Sequence, residues 1–406
     1  MCLNNNNLLK NINLDFWKFI EDNQNTSPIS LRLKYRDNFA FNVSFAIDQI
    51  EARQKTKNKL PNINNNPRFI YPSLLSTEQC TSEAVAAFKD NLFKENYLSM
   101  CDLTGGLGID TLSMARSVKD VTYIERYSDY CLIAEYNFKI LGYNNIEVIN
   151  SDCSDFLTKC NRTYDALYID PARRGDSNKR LFAFSDCEPD ILKLKSRMFE
   201  IADTIFIKTS PMADISFSIK ELENVSDIYV ISYKNECKEL LFKLENRERL
   251  TENITIHCVD INSDGYNILD FKYVDESGIV GLNYSLPLSY LYEPSSSILK
   301  AGAFKFVAAK FKADKLSVNS HLYTSDNYID KFPGRKFKID KIILFNNKEL
   351  KDLNKTLTKA NITVRNFPIK AEELRKRLKI NDGGDKYIFA TTDYSNKKIL
   401  IICSKV

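Results

Sequence analysis

Residues 101–125 read CDLTGGLGIDTLSMARSVKDVTYIE, and no other stretch constrains the fold as tightly. An apolar run ending in Asp102 enters a glycine-rich turn, Gly105-Gly106-Leu107-Gly108. Apolar residues at helical spacing come next (Leu112, Met114, Ala115), and a second apolar run, Val121 to Ile124, ends in Glu125. Strand, glycine turn, helix and a strand ending in an acid form the front half of a nucleotide-type α/β site. The glycines let the backbone approach a ligand, and the acid can take ribose hydroxyls.

Dinucleotide enzymes and S-adenosylmethionine (SAM) methyltransferases share this arrangement, so the turn alone does not separate them. The residues downstream of it do. Gly106 and Gly108 fit the first two glycines of G-x-G-x-x-G, but the third position is Thr111. Two more acids close later strands: Asp152 after IEVIN and Asp170 after YDALYI. A SAM site uses that second pair, one acid for the adenine amino group and one beside the methyl acceptor. A lone strand-end Asp is an ordinary solvated residue; four acids at four successive strand ends favour SAM.

The chain resembles class I SAM-dependent methyltransferases. More closely, it is similar to a bacterial family in which that domain precedes a small ferredoxin-like module and a C-terminal THUMP-like domain. The resemblance rests on Glu78-Gln-Cys-Thr-Ser82, Asp102-Leu-Thr-Gly-Gly106, Asp170-Pro-Ala-Arg-Arg174 and Cys187-Glu-Pro-Asp190. It continues in Tyr292-Glu-Pro294, Lys300-Ala-Gly302, Phe332-Pro-Gly-Arg335 and Asp382-Gly-Gly-Asp385. It implies a Rossmann-like α/β sheet of seven strands, the last antiparallel, behind a helical N-terminal region. It also implies methylation of nucleic acid, with Glu78 and Gln79 close to SAM.

Composition sets the outer bounds. With 406 residues, several modules are expected. No run of 18 or more apolar residues occurs, and the start, MCLNNNNLLKNINLDF, lacks a signal peptide's basic and apolar regions, so a cytoplasmic protein with no membrane span is expected. Ten cysteines without C-x-x-C spacing argue for reduced thiols, and two histidines, His257 and His321, without neighbouring ligands argue against a metal. Net charge is +4, yet residues 331–406 hold 19 Lys+Arg against 8 Asp+Glu. Such a tail is either a polyanion-binding surface or a solvated lysine-rich face.

Four segments are expected: a helical region over 1–97, a methyltransferase domain over 98–245, a ferredoxin-like module over 246–332 and a THUMP-like domain over 333–406. Within the second, strands are predicted at 98–103, 121–125, 146–150, 164–170, 204–210, 227–233 and 239–245. The link from Lys234 to Lys238 is too short for a parallel crossover, so the last two runs should pair antiparallel. In 246–332, NITIHCVDI and YNILDFKYV flank an S-D-G turn. The last segment reads strand 340–345, helix 348–360, strand 362–366, helix 370–379, and strands 386–392 and 397–403.

Candidate cofactor residues are Glu78, Gln79, Asp102, Thr104, Gly105, Gly106, Gly108, Glu125, Asp152 and Cys153. Asp102 and the glycines would shape the pocket under the methionine and ribose, Glu125 would accept from the ribose, and Asp152 from the adenine amine. Candidate catalytic residues are Asp170, Pro171 and Arg173. Related enzymes acting on exocyclic base amines carry an acid or amide, two prolines and an aromatic ring; here Ala172 and Arg173 replace the second proline and the ring. An arginine plane can still stack on a base. Arg173 and Arg174 could instead pair with Asp176 or Asp186. D-P-A-R also resembles RNA uridine C5-methyltransferases, which need a cysteine where this chain has Lys208-Thr-Ser-Pro211. N-methylation of a base in tRNA or rRNA is therefore the leading expectation. Methylation of a protein or small molecule, and non-catalytic SAM or RNA binding, stay open. So do two bland readings: helix 371–379 as an ion-paired surface helix, and Ser295–Ser297 as a helix start and not a phosphate site with Lys300.

Overall fold

The computed structural model describes residues 12–35, 41–94, 96–173, 184–247 and 251–406. It divides into two compact units, residues 1–227 with 239–249, and 228–238 with 250–406.

The first unit opens with helices Leu14–Asn23, Pro28–Lys34 and Val43–Thr56. Asn13 and Asn42 cap the first and third by accepting from the N–H groups of Phe16 and Phe45, satisfying donors the helix leaves unpaired. Phe16, Phe19, Ile20, Leu31, Ile47 and Ile50 form their shared core. Two buried amides then tie this region down. Gln49 exchanges two hydrogen bonds with the Tyr71 backbone, and Asn137 does the same with Ile70. Residues 70–71 thus bridge the helical region and the α/β layer as a strand partner would.

That layer is built on β1 (Ser99–Asp102), β2 (Asp120–Glu125), β3 (Ile146–Asn150) and β4 (Tyr164–Ile169). The two-residue β5 (Ala172–Arg173) and β6 (Cys187–Glu188) pair with each other. Next along the chain are β7 (Ala202–Thr209), β8 (Val225–Tyr233) and β9 (Glu236–Glu245). Within the first unit the strand order is β9-β7-β4-β1-β2-β3, parallel throughout except that β9 runs antiparallel to β7. Central strands β1, β4 and β7 are buried almost without interruption because both faces are covered. The expected antiparallel last strand is present. All seven expected runs are strands, six of them in this unit's larger sheet, while most of β8 groups with the second unit. β8 ends at Lys234-Asn235, both with positive φ (52° and 60°), the pair of conformations that a tight two-residue hairpin turn needs.

In the second unit β10 (Thr255–Asn262) and β11 (Gly265–Lys272) form the expected hairpin around Ser263-Asp264. The rest of the unit is a seven-stranded sheet, made of β12 (Tyr290–Pro294), β13 (Asp314–Lys315), β14 (Tyr323–Ser325), β15 (Gly334–Leu344), β16 (Asn361–Arg365), β17 (Lys386–Thr392) and β18 (Lys398–Lys405). Its order is β13-β14-β12-β15-β18-β17-β16. Helices Asn347–Thr356 and Ala371–Leu378 place Leu350, Leu353, Leu374 and Leu378 against Ile388, Leu400 and Ile402. A second cluster gathers Leu291, Phe337, Phe389 and Ile401.

β15 begins six residues before the strand expected at 340. In its first half Lys336 and Lys338 alternate with Phe337 and Ile339, which turn inward. A bulge between Ile339 and Lys341 then reverses which face the later residues take. Over its first half β15 pairs with β12, and from Phe337 onward with β18. One strand therefore carries both halves of the sheet. A chain ending at Lys331 is accordingly expected to lose amide-exchange protection at Leu291–Glu293 as well as the deleted part. Full protection there would contradict the shared sheet.

Candidate functional site

The carboxyl ends of β7, β4, β1, β2 and β3 bring Lys208, Asp170, Asp102, Glu125 and Asp152 into one row, in that order. β1 is the point where connections reverse, with β2 on one side and β4 on the other, and open α/β sheets bind ligands at such a point.

The glycine turn is built for two different reasons. A Cβ on Gly105 would lie 2.1 Å from the Tyr123 ring, and one on Gly108 (φ +83°) would lie 2.8 Å from Phe138. Both glycines are thus required by packing beneath the turn. Gly106 (φ +55°) is different, because its missing Cβ faces open space, the nearest atom being Thr104 O at 3.9 Å. Of the three, Gly106 is the one at which a ligand can meet bare backbone. Its N–H donates to Glu125 Oε2 at 3.0 Å, and the N–H of Tyr127 donates to Glu125 Oε1 at 2.9 Å. Glu125 is thereby fixed over the turn with each oxygen retaining a second lone pair.

Asp102 is 1% exposed. Its carboxyl accepts from Thr111 Oγ1 at 2.7 Å and from the Thr104 N–H at 3.1 Å. Burial pushes it up to about 7, and the charge of Asp110 adds to that push, while the bond from Thr111 opposes it. Thr104 works twice: its hydroxyl accepts the Asp170 N–H at 2.7 Å, locking the loop after β4 onto the glycine turn. Asp170 itself keeps 38% of its side chain exposed.

Beneath this row lies a group of charges that sequence reasoning missed. Lys208 Nζ is 2.6 Å from Asp170 Oδ2, and 3.1 Å from both Asp110 Oδ2 and Thr81 Oγ1. Thr81 in turn donates to Asp110 Oδ2 at 2.8 Å. Lys89, fully buried, lies 2.5 Å from Asp110 Oδ1 and 2.8 Å from Glu239, and donates to Tyr168 at 3.1 Å. Burial pulls the Lys208 ammonium down, but Asp110, Asp170 and Glu239 together hold it well above its usual range. Burial likewise raises Asp110, yet Lys208 and Lys89 hold its carboxyl well below the usual carboxylate range. The one signal available in the sequence is a lysine interrupting the apolar run IFIKT.

The remaining candidates fall into place unevenly. Glu78 is exposed and pairs with Lys55 at 3.0 Å, and Gln79 is exposed at the end of helix Leu74–Gln79. From that motif it is Thr81 that reaches the charged row. Asp152 caps helix Cys153–Lys159 by accepting from Ser154 N at 2.8 Å, and Cys153 is a buried thiol that burial pushes up to about 12. Pro171 is buried directly after Asp170. The backbone of Arg173 pairs with Cys187; its side chain, Arg174 and Asp176 lie outside the described residues.

In the second unit, Ser297 donates to Asp260 at 2.9 Å, Ser295 and Ser297 are 3.0 Å apart, and Ser296 donates to Ser232 at 2.8 Å. These serines are spent on internal contacts at a six-residue helix, and so mark a helix start. On helix Ala371–Leu378, Arg377 pairs with Glu373 at 2.7 Å, and Arg375 pairs with Asp382 at 2.5 Å. No group of three His, Cys, Asp or Glu placed to hold a metal occurs among the described residues, nor is any described helix long and apolar enough to cross a membrane.

The first unit's fold and its row of strand-end acids define the class I methyltransferase type. Residues 334–405 match the family described as THUMP domain-like, and residues 290–333 match a ferredoxin-like domain. The whole chain is similar to a candidate methyltransferase from Porphyromonas gingivalis W83, with 33% identity and a TM-score of 0.87 over 97% of this chain and 98% of that one. The chain belongs to the family of that protein. Part of it is also 37% identical, over 78 residues, to an uncharacterised RNA methyltransferase of Mycoplasma mobile. A stretch of 119 residues is 28% identical to the ribosomal RNA large subunit methyltransferase K/L of Shewanella baltica. These two matches cover 19% and 29% of this chain, and only 21% and 16% of those relatives.

Asp102 gives the site a pH signature. The folded protein keeps this proton up to about pH 7, whereas an ordinary aspartate releases it near 3.8. Its burial therefore costs stability progressively as pH rises from 3.8 to about 7, and fully above that. Asp102→Asn removes the penalty, so the variant's stability relative to wild type should climb across this window by on the order of 4 kcal/mol. Urea denaturation at a series of pH values reads it; a pH-independent difference would contradict the protonated carboxyl.

Proposed function

We propose that this protein transfers a methyl group from SAM to a base nitrogen in structured RNA, either tRNA or rRNA. The observation that carries the reading is the pairing of an open glycine, Gly106, with a half-exposed acid, Asp170. Both hang from Thr104 and its neighbours at the switch point of the sheet. The RNA methyltransferase names of the partial relatives and the THUMP-like match of residues 334–405 support the substrate class.

The residues present fit the cofactor. Gly106 leaves room at the turn, Glu125 offers two oriented lone pairs to the ribose hydroxyls, and Asp152 offers its second oxygen to the adenine amine. Bound SAM supplies an electrophilic methyl group, and the base nitrogen forms its bond to carbon as the sulfur–carbon bond breaks. Asp170 accepts a hydrogen bond from the acceptor amine, and Pro171 contributes its backbone carbonyl. Together they aim the nitrogen lone pair, which is the main task for such a displacement. The exposure of Asp170 leaves the departing proton a route to water. Residues 1–97, 98–245, 246–332 and 333–406 serve in this reading as helical collar, catalytic domain, ferredoxin-like module and RNA-docking THUMP-like domain.

The direct test is transfer of labelled methyl from SAM to RNA from cells lacking the gene, followed by mass spectrometry of the nucleosides. A methylated base in the RNA supports the reading, while methyl label appearing only in protein or small molecules defeats it. Glu125→Gln should weaken SAM binding by about 1.5–3 kcal/mol, the scale of a hydrogen bond to a charged group, with the melting temperature checked in parallel. Unchanged affinity by calorimetry would remove Glu125 from the ribose site. For RNA docking, changing Arg375, Lys376 and Arg377 to Glu should lower the salt slope of binding by about 0.7 for each single-strand phosphate that is no longer neutralised. An unchanged slope would leave helix Ala371–Leu378 away from the RNA.

A further inference from the structure

Methyl transfer between a sulfonium and a neutral amine needs no lysine, yet Lys208 sits 2.6 Å from the acid that faces the acceptor. An ammonium group has three donors and no acceptor. Around Lys208 there are three oxygens to match: Asp170 Oδ2, Asp110 Oδ2 and Thr81 Oγ1. With its donors committed and 11% of its side chain exposed, Lys208 is placed to be neither a base nor a nucleophile. What it does fix is direction. Its own position is set from below by Asp110, which Lys89 and Thr81 also hold, and Lys89 is anchored on Glu239 and Tyr168. From above, Thr104 holds the Asp170 backbone N–H. Asp170 is therefore gripped at backbone and at one carboxylate oxygen, while its Oδ1 has no partner among the described residues.

We propose that Lys208 is the positioning residue of the methyl-transfer site, holding Asp170 Oδ2 so that Oδ1 alone is presented to the acceptor amine. This rests on the methyltransferase reading given above. Asp110 becomes the joint between the two halves of the site, since it begins the helix that leaves the glycine turn and also carries Lys208. The arrangement uses rigid elements, the ends of β4 and β7 and a helix start, which keeps an acid oriented more tightly than a loop would.

The experiment compares Lys208→Met and Lys208→Arg for methyl-transfer kcat on RNA from cells lacking the gene, SAM Kd and melting temperature. Lys208→Met is expected to lower kcat about 100-fold, the cost of a misplacement near 1 Å, while SAM Kd stays within about twofold. Lys208→Arg should restore most of the loss. A folded Lys208→Met protein with near wild-type kcat overturns the proposal, as does SAM affinity falling in step with kcat. Because Lys208→Met leaves the cluster one positive charge short, with Lys89 alone facing Asp110, the double variant Lys208→Met with Asp110→Asn removes one charge of each sign and is expected to show the same loss of kcat. A separate readout needs no substrate: the carboxyl carbon resonance of Asp170 should move in Lys208→Met relative to wild type. No movement refutes the grip on Asp170 even if RNA is methylated. Movement, combined with a wild-type protein that methylates no RNA, refutes the proposed function and leaves the grip standing.

Discussion

The structure turns on a buried exchange of charge. Lys89 and Lys208 face Asp110, Asp170 and Glu239 beneath the carboxyl ends of β1, β4 and β7, where apolar strands would otherwise run uninterrupted. Taking four ionic groups and part of a fifth out of water is costly, and their mutual attraction offsets that cost only when geometry is good and remaining hydrogen-bonding capacity is met. Here Thr81 and Tyr168 complete the set. Such a network is weak evidence for stability. Its value lies in allowing few arrangements, and each allowed arrangement fixes where Asp170 points.

The glycine turn obeys the same economy of position. Gly105 and Gly108 clear space for Tyr123 and Phe138, whose rings meet edge to face with centroids 5.5 Å apart. Tyr123 then donates to the Gly106 carbonyl at 2.6 Å. The turn is thus shaped from below by aromatic packing and closed from the side by Glu125, leaving Gly106 as its open point. Thr104 joins this turn to Asp170 through its backbone N–H on Asp102 and its hydroxyl on the Asp170 N–H.

Much of this was legible in the sequence. The apolar runs from Met100 to Leu244 alternate with helical spacing, and parallel strands covered on both faces have few other readings. The four strand-end acids were legible for the same reason, since a charge closing an apolar run marks where the strand leaves the core. The lysine network was not, because residues 81, 89, 110, 170, 208 and 239 meet only once the sheet is assembled. The purpose of Gly105 and Gly108 was hidden too: a turn sequence does not show whether its glycines make room for a ligand or for a ring beneath. The first half of β15 escaped notice because lysines on its outward positions mask a period-two pattern.

The position of the bound cofactor tests this site most directly. A crystal structure with S-adenosylhomocysteine should place the ribose hydroxyls against Glu125, the adenine amine beside Asp152, and the sulfur facing Asp170 across Gly106. A ligand bound away from Gly106, or with its sulfur turned from Asp170, would contradict that assignment.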